Sequence, residues 1–155
     1  MSAEFMRRAI ALAIENVRSG KGGPFAALIV RNGQILAEGT NCVTSTNDPT
    51  AHAEICAIRK ACSALKNFQL TDCELYTTCE PCPMCLGAIY WVRLARVFFA
   101  GTAADAAAAG FDDAFIYDEI HLPPTDRRIL MAQILHDESL AIFSAWKQQN
   151  NKIPY

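Results

Sequence analysis

Residues 51–54 are Ala-His-Ala-Glu, and residues 81–85 are Pro-Cys-Pro-Met-Cys. Each stretch lies at the start of a predicted helix. The fold must therefore bring the starts of these two helices together. His52, Cys82 and Cys85 offer one imidazole and two thiols, which are ligand types that select zinc. Three protein ligands leave a tetrahedral ion one position short, which is typical of a catalytic zinc. We therefore expect one Zn2+ with water or hydroxide in its fourth position.

Glu54 follows the expected ligand His52 by two residues on the same predicted helix. At that spacing its carboxylate can stand beside the metal without binding it, and it can carry protons in both directions. Zinc lowers the pKa of a bound water far enough to supply hydroxide near neutral pH. The His-x-Glu and Pro-Cys-x-x-Cys pair is the signature of zinc deaminases. The sequence thus predicts a hydrolytic zinc-dependent deaminase with Glu54 as the catalytic residue.

Other interpretations of the cysteines remain open at this point. A single Cys-x-x-Cys pair is also typical of redox motifs and of half a structural zinc site. Cys79, Cys82 and Cys85 are evenly spaced and could form a closed Cys3His site with His52. Pro81 separates Cys79 from the predicted helix that follows, which favours the open site with three protein ligands.

Length and charge narrow the class of protein. A chain of 155 residues is typical of one domain, so we expect residues 1–155 to form a single deaminase domain. A formal net charge of -2 disfavours a nucleic-acid partner, which would require clustered Lys and Arg. Seven cysteines would leave one thiol over in a disulfide framework, which favours a reducing, cytoplasmic location. Glu15 interrupts the apolar run near the N-terminus before it reaches signal-peptide length, and no membrane partner is expected.

Strands that alternate with helices after one hairpin predict an α/β fold. We expect a three-layer α/β/α sandwich around a central mixed sheet of about five strands, the later ones parallel. Asn32-Gly33 between two apolar runs is typical of a hairpin, since both residues tolerate positive φ. Residues 127–135 could be a strand or a helix. The predicted helices are 3–18, about 51–65, 82–92, 103–109 and about 137–149, and the predicted strands are 25–30, 35–38, 73–78 and 96–100.

Helical spacing of apolar residues predicts one buried face on each of the two terminal helices. On the first helix this face is Met6, Ile10, Ala13 and Val17, and on the last it is Leu140, Phe143 and Trp146.

At the two motifs the chain resembles the cytidine deaminase superfamily, and the resemblance extends over nearly its whole length. Gly-Phe-Asp-Asp at 110–113 and the terminal Tyr155 are similar to the small bacterial guanine deaminases of that fold. The resemblance implies the α/β/α deaminase sandwich and a homodimer whose subunits exchange C-terminal segments. The stretches that carry it are 22–25, 47–54, 79–90 and 110–113.

The same resemblance implies a reaction, the hydrolysis of the purine base guanine to xanthine and ammonia in purine catabolism or salvage. Hydroxide would attack C2, while Glu54 takes the water's proton, delivers it to N3 and then helps the amine to leave. Asn41 would hold the purine through its amide, and Asp113 would accept from N1–H and the amino group. Phe25 could stack on the purine face, and Tyr155 could close a neighbouring subunit's pocket.

Each of these four binding residues also has a structural interpretation. Asn41 could be a turn residue, Asp113 a helix cap, Phe25 a core residue and Tyr155 a frayed terminus.

Other activities fit the same motifs. A tRNA adenosine deaminase has nearly the same motif, but residues 144–150 carry one lysine with which to neutralise phosphates. A guanosine deaminase, a cytosine or cytidine deaminase, and a non-catalytic zinc-stabilised binding module remain alternatives.

Overall fold

The computed structural model describes residues 2–155, and these divide into two compact units. The first unit ends at Ala114, and the second is Phe115–Tyr155. The elements of the first unit are α1 (Ala3–Arg18), β1 (Ala26–Arg31), β2 (Gln34–Thr40), α2 (Val43–Thr46), α3 (Ala53–Leu65), β3 (Cys73–Cys79), α4 (Pro83–Trp91), β4 (Arg96–Gly101) and α5 (Ala103–Ala108).

One mixed sheet with the strand order β2-β1-β3-β4 organises the first unit. β1 is antiparallel to both β2 and β3, whereas β3 and β4 are parallel, as predicted for strands joined through a helix. The predicted hairpin is confirmed, because Asn32 (φ 52°) and Gly33 (φ 73°) both have the positive φ that a tight turn between β1 and β2 requires.

Alternate side chains of β1 belong to different apolar clusters, which shows that helices cover both faces of the sheet. Ala27 and Ile29 pack in one cluster with residues of α3, and Leu28 and Val30 pack in another with Ala9 of α1. The predicted three-layer α/β/α architecture is therefore confirmed.

The predicted buried face of α1 is partly wrong. The residues of α1 that are buried are Ala9, Ala13 and Asn16, whereas Ile10 and Val17 are 40% and 50% exposed. Two alanines in this stripe present only a methyl group each, which lets α1 approach the sheet closely and leaves the larger side chains turned outward.

The second unit contains helix α7 (His136–Gln148) and a 3-10 turn at Pro124–Asp126, and helix α6 (Ala114–His121) begins at its boundary. Within residues 115–155 the structure places no side chain in the buried class. No helix in residues 2–155 has the length and apolarity that crossing a bilayer requires.

The sheet of residues 2–155 has four strands, so the expectation of about five is corrected. Residues 127–135, for which a strand or a helix was predicted, form neither. The backbone N–H of Arg128 donates to the carboxylate of Glu119 at 2.8 Å and is thus not available for a strand ladder. Ile129 and Leu130 in this segment are 79% and 86% exposed, so no sheet face buries them.

Candidate active site

The two motifs meet because each of the helices α3 and α4 begins directly after one ligand residue. His52 and Cys82 are extended residues (ψ 156° and 167°) that immediately precede these helices, and Cys85 lies in the first turn of α4. The Nδ1 atom of His52 is 3.6 Å from the Sγ atoms of both cysteines. The three ligand atoms lie within 4.8 Å of one another, close enough to bind one ion. One imidazole and two thiols are a donor set that fits zinc.

The two thiols of this cluster ionise very differently. The pKa of Cys82 is lowered to about 4, first because Cys85 hydrogen bonds to its sulfur and also because His52 does. The pKa of Cys85 is raised by the same hydrogen bond and then by burial. One thiolate therefore forms readily, whereas a second thiolate requires a cation to balance the added negative charge.

Glu54 lies in the first turn of α3 with 6% of its surface exposed. Burial is the main cause that raises the pKa of its carboxyl group above the ordinary value. A carboxyl group whose pKa is raised takes up a proton more readily and can pass it on. Glu54 thus has the environment of a proton carrier beside the ligand cluster.

Cys79 has a different environment from the other two cysteines of its motif. Its Sγ donates to the carbonyl of Thr102 at 3.6 Å, and burial raises the pKa of its thiol. Among the described residues, the candidate metal cluster contains His52, Cys82 and Cys85 and does not include Cys79. The closed Cys3His arrangement is therefore not assembled in this structure.

A cavity of about 270 Å³ opens beside the cluster within the first unit. The expected site residues that it brings together are Phe25, Asn41, His52, Glu54, Cys82 and Asp113. The lining residues for which the sequence predicted no role at the site are Glu80, Ala103, Ala106, Gly110, Phe111 and Asp112. The arrangement is a small cavity with a metal-ligand set, a buried acid and aromatic and amide side chains around it, which is suited to hydrolysis of a small heterocycle.

The family model of the cytidine and deoxycytidylate deaminase zinc-binding region matches residues 1–101. This chain belongs to that deaminase family. It is 58% identical over 151 residues to the guanine deaminase of Bacillus subtilis (strain 168), with 97% of each chain covered. The X-ray structure of guanine deaminase from Bacillus subtilis matches with a TM-score of 0.97 and 57% identity, over 100% of this chain and 99% of that one. The tRNA-specific adenosine deaminase of Aquifex aeolicus (strain VF5) is 38% identical over 133 residues, which are 84% of this chain and 85% of that protein.

Asn41 directly follows β2 and lines the cavity of this deaminase. It is buried, and its backbone N–H donates to the carbonyl of Phe25 at 3.0 Å. Its Oδ1 accepts from the backbone N–H groups of Gly23 and Val43, both at 3.3 Å. Because Oδ1 is engaged with two donors, Nδ2 is the amide atom available to a ligand.

Asp113 and Phe25 also line the cavity of the deaminase. Burial is the first cause that raises the pKa of Asp113, followed by the nearby Cys82. The N–H of Ala114, the first residue of α6, donates at 2.9 Å to Asp112, the neighbour of Asp113. Phe25 contacts Phe111 edge to face, with ring centroids 5.0 Å apart. Phe111 could have been found from the sequence, because it follows Gly110 in the segment that carries the family resemblance.

Tyr155 belongs to the second unit of the deaminase and is exposed. Its expected role at a neighbouring subunit's pocket stays a prediction.

Proposed function

We propose that this chain is a zinc-dependent guanine deaminase that hydrolyses guanine to xanthine and ammonia, in purine catabolism or salvage. The observation that carries the proposal is the buried carboxyl group of Glu54 beside one imidazole and two thiols at a small cavity. Similarity to a guanine deaminase over 97% of both chains supports the choice of substrate.

His52, Cys82 and Cys85 would hold the zinc ion. Their donor set fits this ion, and a cation would offset the charge of the second thiolate. Zinc at such a site supplies Lewis acidity that makes water nucleophilic near neutral pH. The positions of His52 and Cys82 next to the starts of α3 and α4 keep the three ligands on rigid elements.

Glu54 would move the protons of the reaction. Its carboxylate takes a proton from the attacking water and delivers it to N3 of the purine, and a second transfer allows the amine to leave as ammonia. Because burial raises the pKa of the carboxyl group, Glu54 readily takes up a proton from water. Release of that proton to the substrate restores the carboxylate, which can then accept another proton.

Asn41, Asp113 and Phe25 would select the purine. The Nδ2 group of Asn41 can donate to an acceptor on the ring, and the carboxylate of Asp113 can accept from N1–H and the amino group. Phe25 would contact the ring face, with its own orientation supported by Phe111. A cavity of about 270 Å³ suits a free base better than a nucleotide.

The proposed enzyme is a single functional domain of residues 1–155 that acts as a homodimer with exchanged C-terminal segments. A unit of this size without a buried side chain cannot be stable by itself, so the lack of burial within residues 115–155 supports a partner surface. Tyr155 of one subunit would then close the pocket of the other. All seven cysteines are free thiols, which supports a reducing, cytoplasmic location.

The test is the rate of ammonia release by the zinc-loaded protein from guanine, guanosine, adenine, cytosine and cytidine. We expect guanine to have the highest kcat/KM, with conversion to xanthine visible in the ultraviolet. A higher kcat/KM for guanosine or cytidine would show that the proposed substrate is wrong. Zinc binding without turnover of any of the five would favour a binding module, and salt-sensitive deamination of a tRNA anticodon stem would favour the adenosine alternative.

A further inference from the structure

Asn16 is a buried amide on the face of α1 that otherwise packs through alanines. Only 4% of its surface is exposed, and it lies on the same helix stripe as Ala9 and Ala13. An amide in such a place must use its hydrogen-bonding groups, because a buried polar group without a partner costs folding free energy. Its contacts therefore indicate why this polar residue lies on an otherwise apolar stripe.

The Nδ2 group of Asn16 donates two hydrogen bonds to backbone carbonyls of other segments. One goes to the carbonyl of Gly23 at 3.0 Å and the other to the carbonyl of Asn41 at 2.9 Å. The loop after α1 lies directly against the end of β2 here, since a Cβ added to Gly22 would come within 2.0 Å of the carbonyl oxygen of Asn41. Asn16 thus joins α1, this loop and the end of β2.

Gly23 is the link between Asn16 and the side chain of Asn41. Its carbonyl accepts from Asn16, and its N–H donates to Oδ1 of Asn41 at 3.3 Å. The second donor to that oxygen, the N–H of Val43, is also 3.3 Å away. Both bonds are longer than the usual 2.9–3.0 Å, so the orientation of the Asn41 amide depends on where the loop is held.

We propose that Asn16 is a positioning residue for purine binding. It fixes Gly23 and the backbone of Asn41, and thereby keeps Oδ1 of Asn41 turned to the backbone and Nδ2 turned to the ligand. The inference rests on the proposed function, because it takes Asn41 as a contact of the base. Asn16 does not line the cavity and has no direct part in the chemistry.

The kinetic test compares Asn16→Ala with Ala13→Gly, which perturbs the same helix stripe without touching these hydrogen bonds. For Asn16→Ala we expect the KM for guanine to rise about 3- to 10-fold, the change that one ordinary hydrogen bond produces, with kcat per bound zinc within about twofold. In Ala13→Gly both constants should stay within about twofold. Equal effects of the two variants on KM would mean a general loss of packing and would overturn the proposal.

A double-mutant cycle shows whether Asn16 acts through Asn41. If it does, Asn16→Ala should add less than twofold to the KM of Asn41→Ala, because the group that it positions is already gone. Full additivity of the two substitutions contradicts the proposal.

Amide hydrogen exchange gives a readout that needs no turnover. In Asn16→Ala we expect the N–H groups of Gly23 and Val43 to exchange at least about threefold faster, since both donate to Oδ1 of Asn41. Unchanged exchange would overturn the positioning role whatever the substrate is. Faster exchange in a protein that deaminates no base would refute the proposed function and leave the positioning of Asn41 established.

Discussion

Helices α3 and α7 are both 13 residues long, both carry acidic residues in the first turn, and both have apolar side chains at helical spacing. They differ in burial. Six residues of α3 are buried, and most of them pack in the apolar cluster that contains Ala27 and Ile29 of β1. In α7 no residue is buried within the described chain, and Phe143 and Trp146 are 61% and 46% exposed.

Amphipathic spacing thus predicts a helix without predicting what covers it. The partner of α3 is the sheet of its own unit, and Gly39 of β2 makes the contact close, since a Cβ there would come within 2.2 Å of the carbonyl of Ala53. His52 and Glu54 flank Ala53, so the packing that stabilises α3 also places the reactive groups. For α7, a second subunit is the proposed cover.

The largest effect should follow loss of a ligand beside α4. We expect Cys82→Ser to lose zinc and to reduce deaminase activity to background, because a hydroxyl group is a much poorer zinc ligand than a thiolate. Zinc content measured by mass spectrometry, together with guanine turnover, checks this.

Cys79→Ser is the matched control, since Cys79 lies in the same motif and its thiol donates to Thr102. It should keep one zinc per subunit. Zinc loss in both variants would mean that Cys79 is a ligand and that the open site is wrong.

The next largest effect concerns the acidic residue in the first turn of each helix. We expect Glu54→Gln to keep zinc and to lower kcat by about 10²- to 10⁴-fold, because an amide cannot carry the proton. The same change in α7, Glu138→Gln, should leave kcat within about twofold. Activity of Glu54→Gln within a few-fold of the unmodified protein would refute the proton-transfer role.

The sequence predicted the first unit in detail because its signals are local. The Asn32-Gly33 turn and the ligand spacing at His52 and Cys82 each depend on a few neighbouring residues. Each of the four predicted strands was found within about two residues of its expected ends.

What the sequence did not predict depends on contacts between distant residues. Asn16 lies at helical spacing from Ala9 and Ala13, but its bonds to Gly23 and Asn41, which make a polar residue suitable there, are not revealed by any helical period. Residues 127–135 were predicted to be a strand or a helix and form neither, because apolar residues predict burial, whereas Ile129 and Leu130 are exposed in this chain.

The effects on folding and association, rather than on turnover, also separate α3 from α7. Ile58 of α3 is 6% exposed, so Ile58→Ser removes core packing and should lower the free energy of unfolding by about 2–5 kcal/mol. Phe143 of α7 is 61% exposed, so Phe143→Ser should leave the stability of the first unit nearly unchanged.

If a second subunit covers α7, Phe143→Ser should instead weaken the homodimer by about 1.5–3 kcal/mol, which is roughly a 10- to 150-fold higher dissociation constant. Sedimentation velocity across a dilution series measures this constant, and thermal unfolding of the same samples measures the effect of Ile58→Ser. An unmodified protein that sediments as a monomer would contradict the proposed dimer. A dimer whose dissociation constant is the same in Phe143→Ser would show that subunits associate through a different surface, and α7 would then need another partner.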